Sequence, residues 1–267
     1  MKTENALLQL RRLDELASNS TFIHRVHPLA KLLTMLAFII TLASFPKYEA
    51  VGLFPLIIYP VFLLVLGDLP VVYLAKSVLW AMPFAVFIGI LNPLFDRQSV
   101  LIGGVVVPGG WLSFATILFR FALSVMAALI LISTTPFAQI CAALRRLGIP
   151  PLFVTQLLFL YRYLYVLIEE TARMIQAASL RMGKNKGIPL PAWGSLPGHL
   201  LLRTFDRAQR IYYAMLCRGY NGRIYGGRHK RIKPKDIVYM AGWCIFFFIA
   251  RMWNIPQWIG GFFIGVK

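Results

Sequence analysis

Polar and apolar positions alternate along this chain in long blocks rather than short ones. Leu29 to Phe45 is almost wholly apolar, and after Pro46-Lys47 a second apolar block runs from Val51 to Leu66. The tight turn Gly67-Asp68-Leu69-Pro70 leads into a third, Val71 to Leu91. A Gly- and Pro-rich stretch, Asn92 to Gly110, precedes a fourth, Trp111 to Ile132. A lone block follows much later, Ile237 to Trp253, with a short apolar tail from Trp258 to Val266. Blocks of roughly 17–25 residues fit the hydrocarbon core of a bilayer as helices, so five spans are predicted. The tail, at about ten residues, is too short to cross and is expected to be interfacial or re-entrant.

The intervening stretch has a helical rhythm of a different kind. Phe137 to Leu147 reads as a short amphipathic helix. Pro150-Pro151 opens a long one, in which Leu157, Tyr161, Leu164, Ile168, Ala172, Ile175 and Ala178 share a face. Glu169 stands four residues before Arg173, a favourable ion-pair spacing, and Gly183 is the expected C-terminal cap. Pro189, Pro191 and Pro197 are expected to interrupt helix, so the second long helix is placed from about Gly198 to Cys217, ending at Gly219. The predicted fold is therefore all-α: about five transmembrane helices plus a domain with two long helices. It divides into an N-terminal arm (1–28), a four-helix membrane region (29–134), a polar domain (135–236), and a last span with its tail (237–267).

Composition sharpens this picture. The chain is 58% hydrophobic and 14% charged, a balance that a soluble domain of 267 residues does not adopt. Lys and Arg number 28 against 10 acidic residues, a net charge of +18. Such an excess is compatible with nucleic-acid binding, but 17 of the 28 basic residues fall between Thr135 and Asp236, beside apolar spans. The positive-inside rule explains that placement better, putting this domain and the N-terminal arm (Lys2, Arg11, Arg12, Arg25) in the cytoplasm. Two cytoplasmic ends require an even number of crossings between them, in agreement with four spans. No cleavable signal sequence is expected, because Met1 to Ser20 has no short apolar core. Cys141, Cys217 and Cys244 are far apart and form no CxxC pair, so neither a disulfide framework nor a zinc site is expected.

Candidate chemistry is sparse. No Gly-x-x-x-x-Gly-Lys-Ser/Thr loop is present, which argues against ATP hydrolysis by this chain itself. His24 and His27 are three apart, but without nearby Cys, Asp or Glu they make a poor metal site. His199 and His229 are isolated. Arg120 lies well inside a span, where an ionisable residue is a functional candidate or a structural partner within the bundle. Lys76 is near a span end, within reach of snorkelling. Glu169 and Glu170 read as surface ion-pairing groups rather than catalytic carboxylates. The run Tyr161-Arg162-Tyr163-Leu164-Tyr165 fits a helix on the membrane surface better than a base-stacking platform.

The two long-helix ends repeat one another. Ala177-Ala178-Ser179-Leu180-Arg181-Met182-Gly183 closes the first, and Ala214-Met215-Leu216-Cys217-Arg218-Gly219-Tyr220 the second. In each, a small residue four positions before an Arg leaves room for a partner surface, and the Arg complements the negative helix end. The planar guanidinium can fork onto a carboxylate or carbonyls in a partner's groove. One such end is an ordinary cap; two point to a pair of equivalent partner sites.

These ends, with Ser133-Thr134-Thr135-Pro136-Phe137, Tyr161-Arg162-Tyr163, Glu169-Glu170, Arg207-Ala208, Gly222, His27-Pro28…Lys31-Leu32-Leu33 and Asn92-Pro93-Leu94-Phe95-Asp96, resemble the transmembrane (T) components of energy-coupling-factor (ECF) transporters, in particular the CbiQ-like cobalt and nickel importer subgroup. The first Arg end departs from the family's contiguous Arg-Gly by the intervening Met182. The resemblance implies an importer of the ABC class in an inner membrane. Two cytosolic ATPase subunits would dock on the coupling residues Ala177, Ala178, Arg181, Gly183, Ala214, Arg218 and Gly219, and the paired helices would cross as an X. A separate small membrane subunit would hold the cargo, so this chain would bind no metal or cofactor, catalyse nothing, and leave ATP to its partners. Related T components serve vitamin-binding subunits. A self-sufficient secondary transporter or channel is the alternative, but it would call for ionisable residues in several spans rather than at Arg120 alone.

Overall fold

The computed structural model describes residues 16–17, 21–46, 51–95, 99–102, 105–182, 189–222 and 232–252. By their internal contacts these fall into two units, one drawn from Glu15–Pro136 and Lys230–Lys267, the other from Phe137–His229. The N-terminal arm before Leu16, Gly183 and the interfacial tail after Met252 lie outside the described residues.

The first unit is the membrane bundle. A short turn of helix, α1 (Phe22–Arg25), leads into α2 (Pro28–Ser44). Pro28 suits the first helical position, and His27 Nδ1 caps the helix by accepting the Leu29 N–H at 3.1 Å. The block predicted as one helix from Val51 begins as a 3-10 segment, Val51–Ile57, and becomes α3 only over Ile58–Leu66. Pro55 lies inside the 3-10 segment, where its missing N–H and ring disfavour a regular α-turn. Next come α4 (Val71–Gly89), α5 (Leu91–Phe95), and α6 (Gly109–Thr134). The Gly- and Pro-rich stretch between α5 and α6 holds a small antiparallel hairpin, β1 (Ser99–Ile102) with β2 (Val105–Pro108), an exception to the otherwise all-α fold. The last helix of this unit is α10 (Pro234–Met252).

Phe38 of α2, Tyr59 of α3, and Trp243 and Phe247 of α10 interlock at ring-centroid distances of 4.8–5.9 Å, joining three helices at the buried centre. Helices α4 and α6 approach so closely at Gly89 that a Cβ there would meet the Phe114 ring at 2.9 Å, the small-residue contact common in membrane bundles. Exposed apolar side chains such as Trp80, Phe84, Phe87 and Ile40 cover the outside, as a lipid-facing surface requires.

Polar bonds fix which helix ends share a level. The buried Asp236 carboxylate accepts the His27 N–H at 2.9 Å, placing the starts of α2 and α10 together. Buried Lys31 donates to the Thr134 carbonyl at 2.8 Å and to Thr135 Oγ1 at 3.3 Å, bringing the end of α6 to the same level. At the opposite ends, Arg251 donates to Ser44 Oγ at 3.1 Å and to the Ser44 carbonyl at 3.2 Å. Helices α2 and α10 thus run side by side in one direction.

The second unit consists of α7 (Phe137–Arg146), α8 (Pro151–Met182) and α9 (Leu190–Cys217). The predicted start of α9 at Gly198 is wrong by eight residues. Pro189 is its N-cap and Pro191 sits in the first turn, where no amide donor is needed; Pro197 is accommodated inside the helix.

By length and apolarity, Val71–Pro93, Gly109–Thr134 and Pro151–Arg181 could each cross a membrane, with Pro28–Ser44 and Gly52–Leu66 shorter apolar helices. The third of these falls in the polar domain by its sequence pattern, not among the five predicted spans. Its first 18 residues carry one charge, Arg162, whereas Glu169, Glu170, Arg173 and Arg181 follow.

Candidate functional site

The second Arg-bearing end is a complete Schellman cap. Arg218 is the cap residue, and the Gly219 N–H bonds the Leu216 carbonyl at 2.9 Å while the Tyr220 N–H reaches back to Met215 at 3.0 Å. Gly219 takes φ +79°, in the left-handed region that glycine enters without strain. Tyr220 and Met215 both line the cleft between the two long helices. The result is a rigid stop in which Ala214, Arg218 and Gly219 are all exposed. At the first end, Ala177 and Arg181 are exposed and Ala178 is half-buried on the last turns of α8. No shared contact joins Arg181 to Arg218 among the described bonds.

Glu170 links the two long helices. It accepts from Arg173 on its own helix at 2.6 Å and from Arg203 on α9 at 2.7 Å. Arg173, for which the sequence spacing offers Glu169, bonds Glu170 at i,i+3 and also feels the charge of Glu169. Beneath this bridge, α8 and α9 enclose a cleft of about 1040 Å³ walled by apolar groups including Phe159, Tyr163, Val166, Ile211 and Met215. Tyr161 faces another way: it stacks on Phe137 of α7 at 4.3 Å and its hydroxyl lies 3.1 Å from that of Tyr165.

Sequence reasoning missed two anchors, Lys31 and Asp236. The chain leaves the bundle just after Thr134 and Thr135, both held by Lys31, and returns at Lys233, whose N–H bonds Asp236 Oδ2 at 2.8 Å. Both passages are thus fastened to the segment His27–Lys31. The partners are more than 100 residues apart, and only an acid and a lysine beside apolar blocks could have drawn attention to them.

Arg120 donates through Nη2 to the carbonyls of Phe45 and Pro46, at 3.0 and 3.4 Å, closing the exit of α2. His24 is committed internally. Its Nε2–H donates to the Leu16 carbonyl at 2.9 Å, which leaves Nδ1 to accept the Thr21 hydroxyl at 2.6 Å. Burial holds its imidazole below the ordinary value; the Leu16 and Ser133 carbonyls oppose the shift and the Lys31 charge adds to it. Among the described residues no group of three His, Cys, Asp or Glu is arranged to hold a metal ion.

The chain is 31% identical over 128 residues to an uncharacterized protein of Methanocaldococcus jannaschii, covering 47% of this chain and 44% of that protein. It is 29% identical over 153 residues to the nickel permease LarQ of Lactiplantibacillus plantarum, 56% of each chain. A likeness of 23% to the energy-coupling factor transporter transmembrane protein EcfT of Lactococcus lactis subsp. cremoris extends over 88% of this chain and 94% of that one. The chain thus spans about half the length of the first two relatives. The profile of the family described as cobalt transport protein, CbiQ, matches residues 19–228, most of the sequence and both units. The chain belongs to the CbiQ family of cobalt transport proteins.

Proposed function

We propose that this chain is the transmembrane coupling component of an ECF-type importer, with cobalt or nickel as cargo. It would pass the closure of two cytosolic ATPase subunits to a separate substrate-binding membrane subunit. The observation carrying this reading is the pair of long helices whose last turns expose Arg181 and Arg218 beside small residues, one of them on a rigid Schellman cap. The names of LarQ and EcfT give the cargo class and the coupling role to relatives; this chain inherits them here as a proposal.

The reading puts α8 and α9 on the cytoplasmic face. Thr134 and Asp236 sit at one level, so an even number of crossings separates them. If α8 crossed, α9 would have to return through the bilayer carrying Arg203, Asp206, Arg207 and Arg210, each costing about 2.5–3.5 kcal/mol at mid-bilayer. Glu170 also meets Arg203 side by side, which suits two helices lying in water or at the interface. Zero crossings is the cheaper solution, with the apolar half of α8 resting on the membrane surface. The basic residues of this domain then agree with the positive-inside rule.

Affinity purification of the tagged chain from its host's membranes is expected to bring down two ABC ATPase subunits and one small membrane protein. Metal uptake by the purified chain alone in vesicles would refute the proposal. Cys217 offers the companion test. It is an exposed thiol next to Arg218. In a Cys244→Ser background, a membrane-impermeant maleimide is expected to label it in inverted vesicles and not in intact cells.

A further inference from the structure

Within the membrane bundle, α1, α3 and α10 enclose a second groove, of about 780 Å³, that the coupling role does not use. Its walls are Phe22, Ile58, Phe62, Val238, Trp243 and Phe246, with Lys235 at one end. Phe22, Ile58, Phe62 and Val238 are exposed, so the groove opens sideways from the bundle. Along α10, Lys235 and Phe246 are eleven residues apart. At a rise of about 1.5 Å per residue that is roughly 16 Å, close to the ~15 Å hydrocarbon depth of one leaflet.

The polar end of the groove is cationic. The His27–Asp236 bond ties the segment carrying Arg25 to the segment carrying Lys233 and Lys235, and all three cations are exposed. The only acid in these two segments, Asp236, is buried and spends both oxygens on the His27 and Lys233 amides. An apolar slot one leaflet deep, capped by basic residues at the level of the helix start, matches the shape and charge of an anionic phospholipid. We propose that this groove binds one such lipid, its acyl chain along Val238 and Trp243 and its phosphate at Lys235.

Gly242 provides a direct test, because it lines the groove and a Cβ added there meets nothing within 4 Å. Gly242→Leu therefore starts its side chain in open space and extends it into the slot. The full chain, delipidated in detergent, is titrated with phosphatidylglycerol or phosphatidylcholine and read by native mass spectrometry. A basic residue near the surface contributes about 1 kcal/mol toward an anionic lipid, so the first phosphatidylglycerol is expected to bind about fivefold more tightly than phosphatidylcholine. Lys235→Gln is expected to bring the two lipids close to parity, and Gly242→Leu to abolish the first binding step for both. Parity in the wild-type chain, or a preference that survives both substitutions, would overturn the proposal. So would a Gly242→Cys variant that cross-links in host membranes to a partner protein, since the groove would then be a subunit interface.

Discussion

Replacing Asp236 by Ala tests whether the return of the chain into the bundle is fastened as the structure shows. The carboxylate is buried and accepts two backbone N–H groups, from His27 at 2.9 Å and Lys233 at 2.8 Å. The second bond is the reach-back of a residue in the first helical turn to the residue before the helix, and the negative charge also favours that helix end. A hydrogen bond to a charged acceptor contributes about 1.5–3 kcal/mol net. The first bond joins residues 209 positions apart, and its loss strands a buried His27 amide. Together these give a destabilisation of about 3–5 kcal/mol for Asp236→Ala. At roughly 2–4 °C per kcal/mol for a chain of this size, the unfolding midpoint falls by on the order of 10 °C. Asp236→Asn keeps one acceptor oxygen and loses about half as much. Thermal unfolding of the full chain in detergent, followed by intrinsic fluorescence, reads the effect. An Ala variant melting within about 1 °C of wild type would refute the reasoning.

Three further outcomes follow from particular contacts. The folded His24 pKa lies below its unfolded value near 6.5, so the unfolded chain binds the extra proton; stability is present above that value and is lost as pH falls through it. Melting midpoints measured from pH 7.5 to 5.5 should drop, and His24→Gln should flatten the drop. Arg120→Met removes the donor to the Phe45 and Pro46 carbonyls and should cost about 1–3 kcal/mol in stability while uptake per folded chain persists; lost uptake with an unchanged midpoint would make Arg120 a transport residue. Gly219→Ala forces a Cβ into φ +79° with no steric neighbour, so about 1 kcal/mol is lost from the cap alone, seen as roughly fivefold faster amide exchange at Tyr220.

Local features were legible because their causes are local. The end of α9 is set by Gly219, and three of the four blocks before Thr135 read directly as helices. Where a single residue competed with its surroundings, the rule applied too simply. Three prolines pointed to a break before Gly198, yet two of them sit where a helix has no amide to lose, and α9 begins at Leu190. Pro55 signalled a break that the apolar run concealed. The role of Glu170 as a bridge depends on Arg203 of another helix, which no local spacing pairs with it. Lys31 and Asp236 matter because of partners across the fold, and no spacing rule pairs positions so distant.

The central claim is that Arg181 and Arg218 are the points by which two ATPase subunits grip the chain. The decisive measurement is the amount of ATPase retained on the tagged chain when each Arg is reversed to Glu, singly and together. One subunit's worth lost per single variant and both lost in the double variant, with melting midpoints unchanged, is the predicted result. Full retention in the double variant would contradict the account.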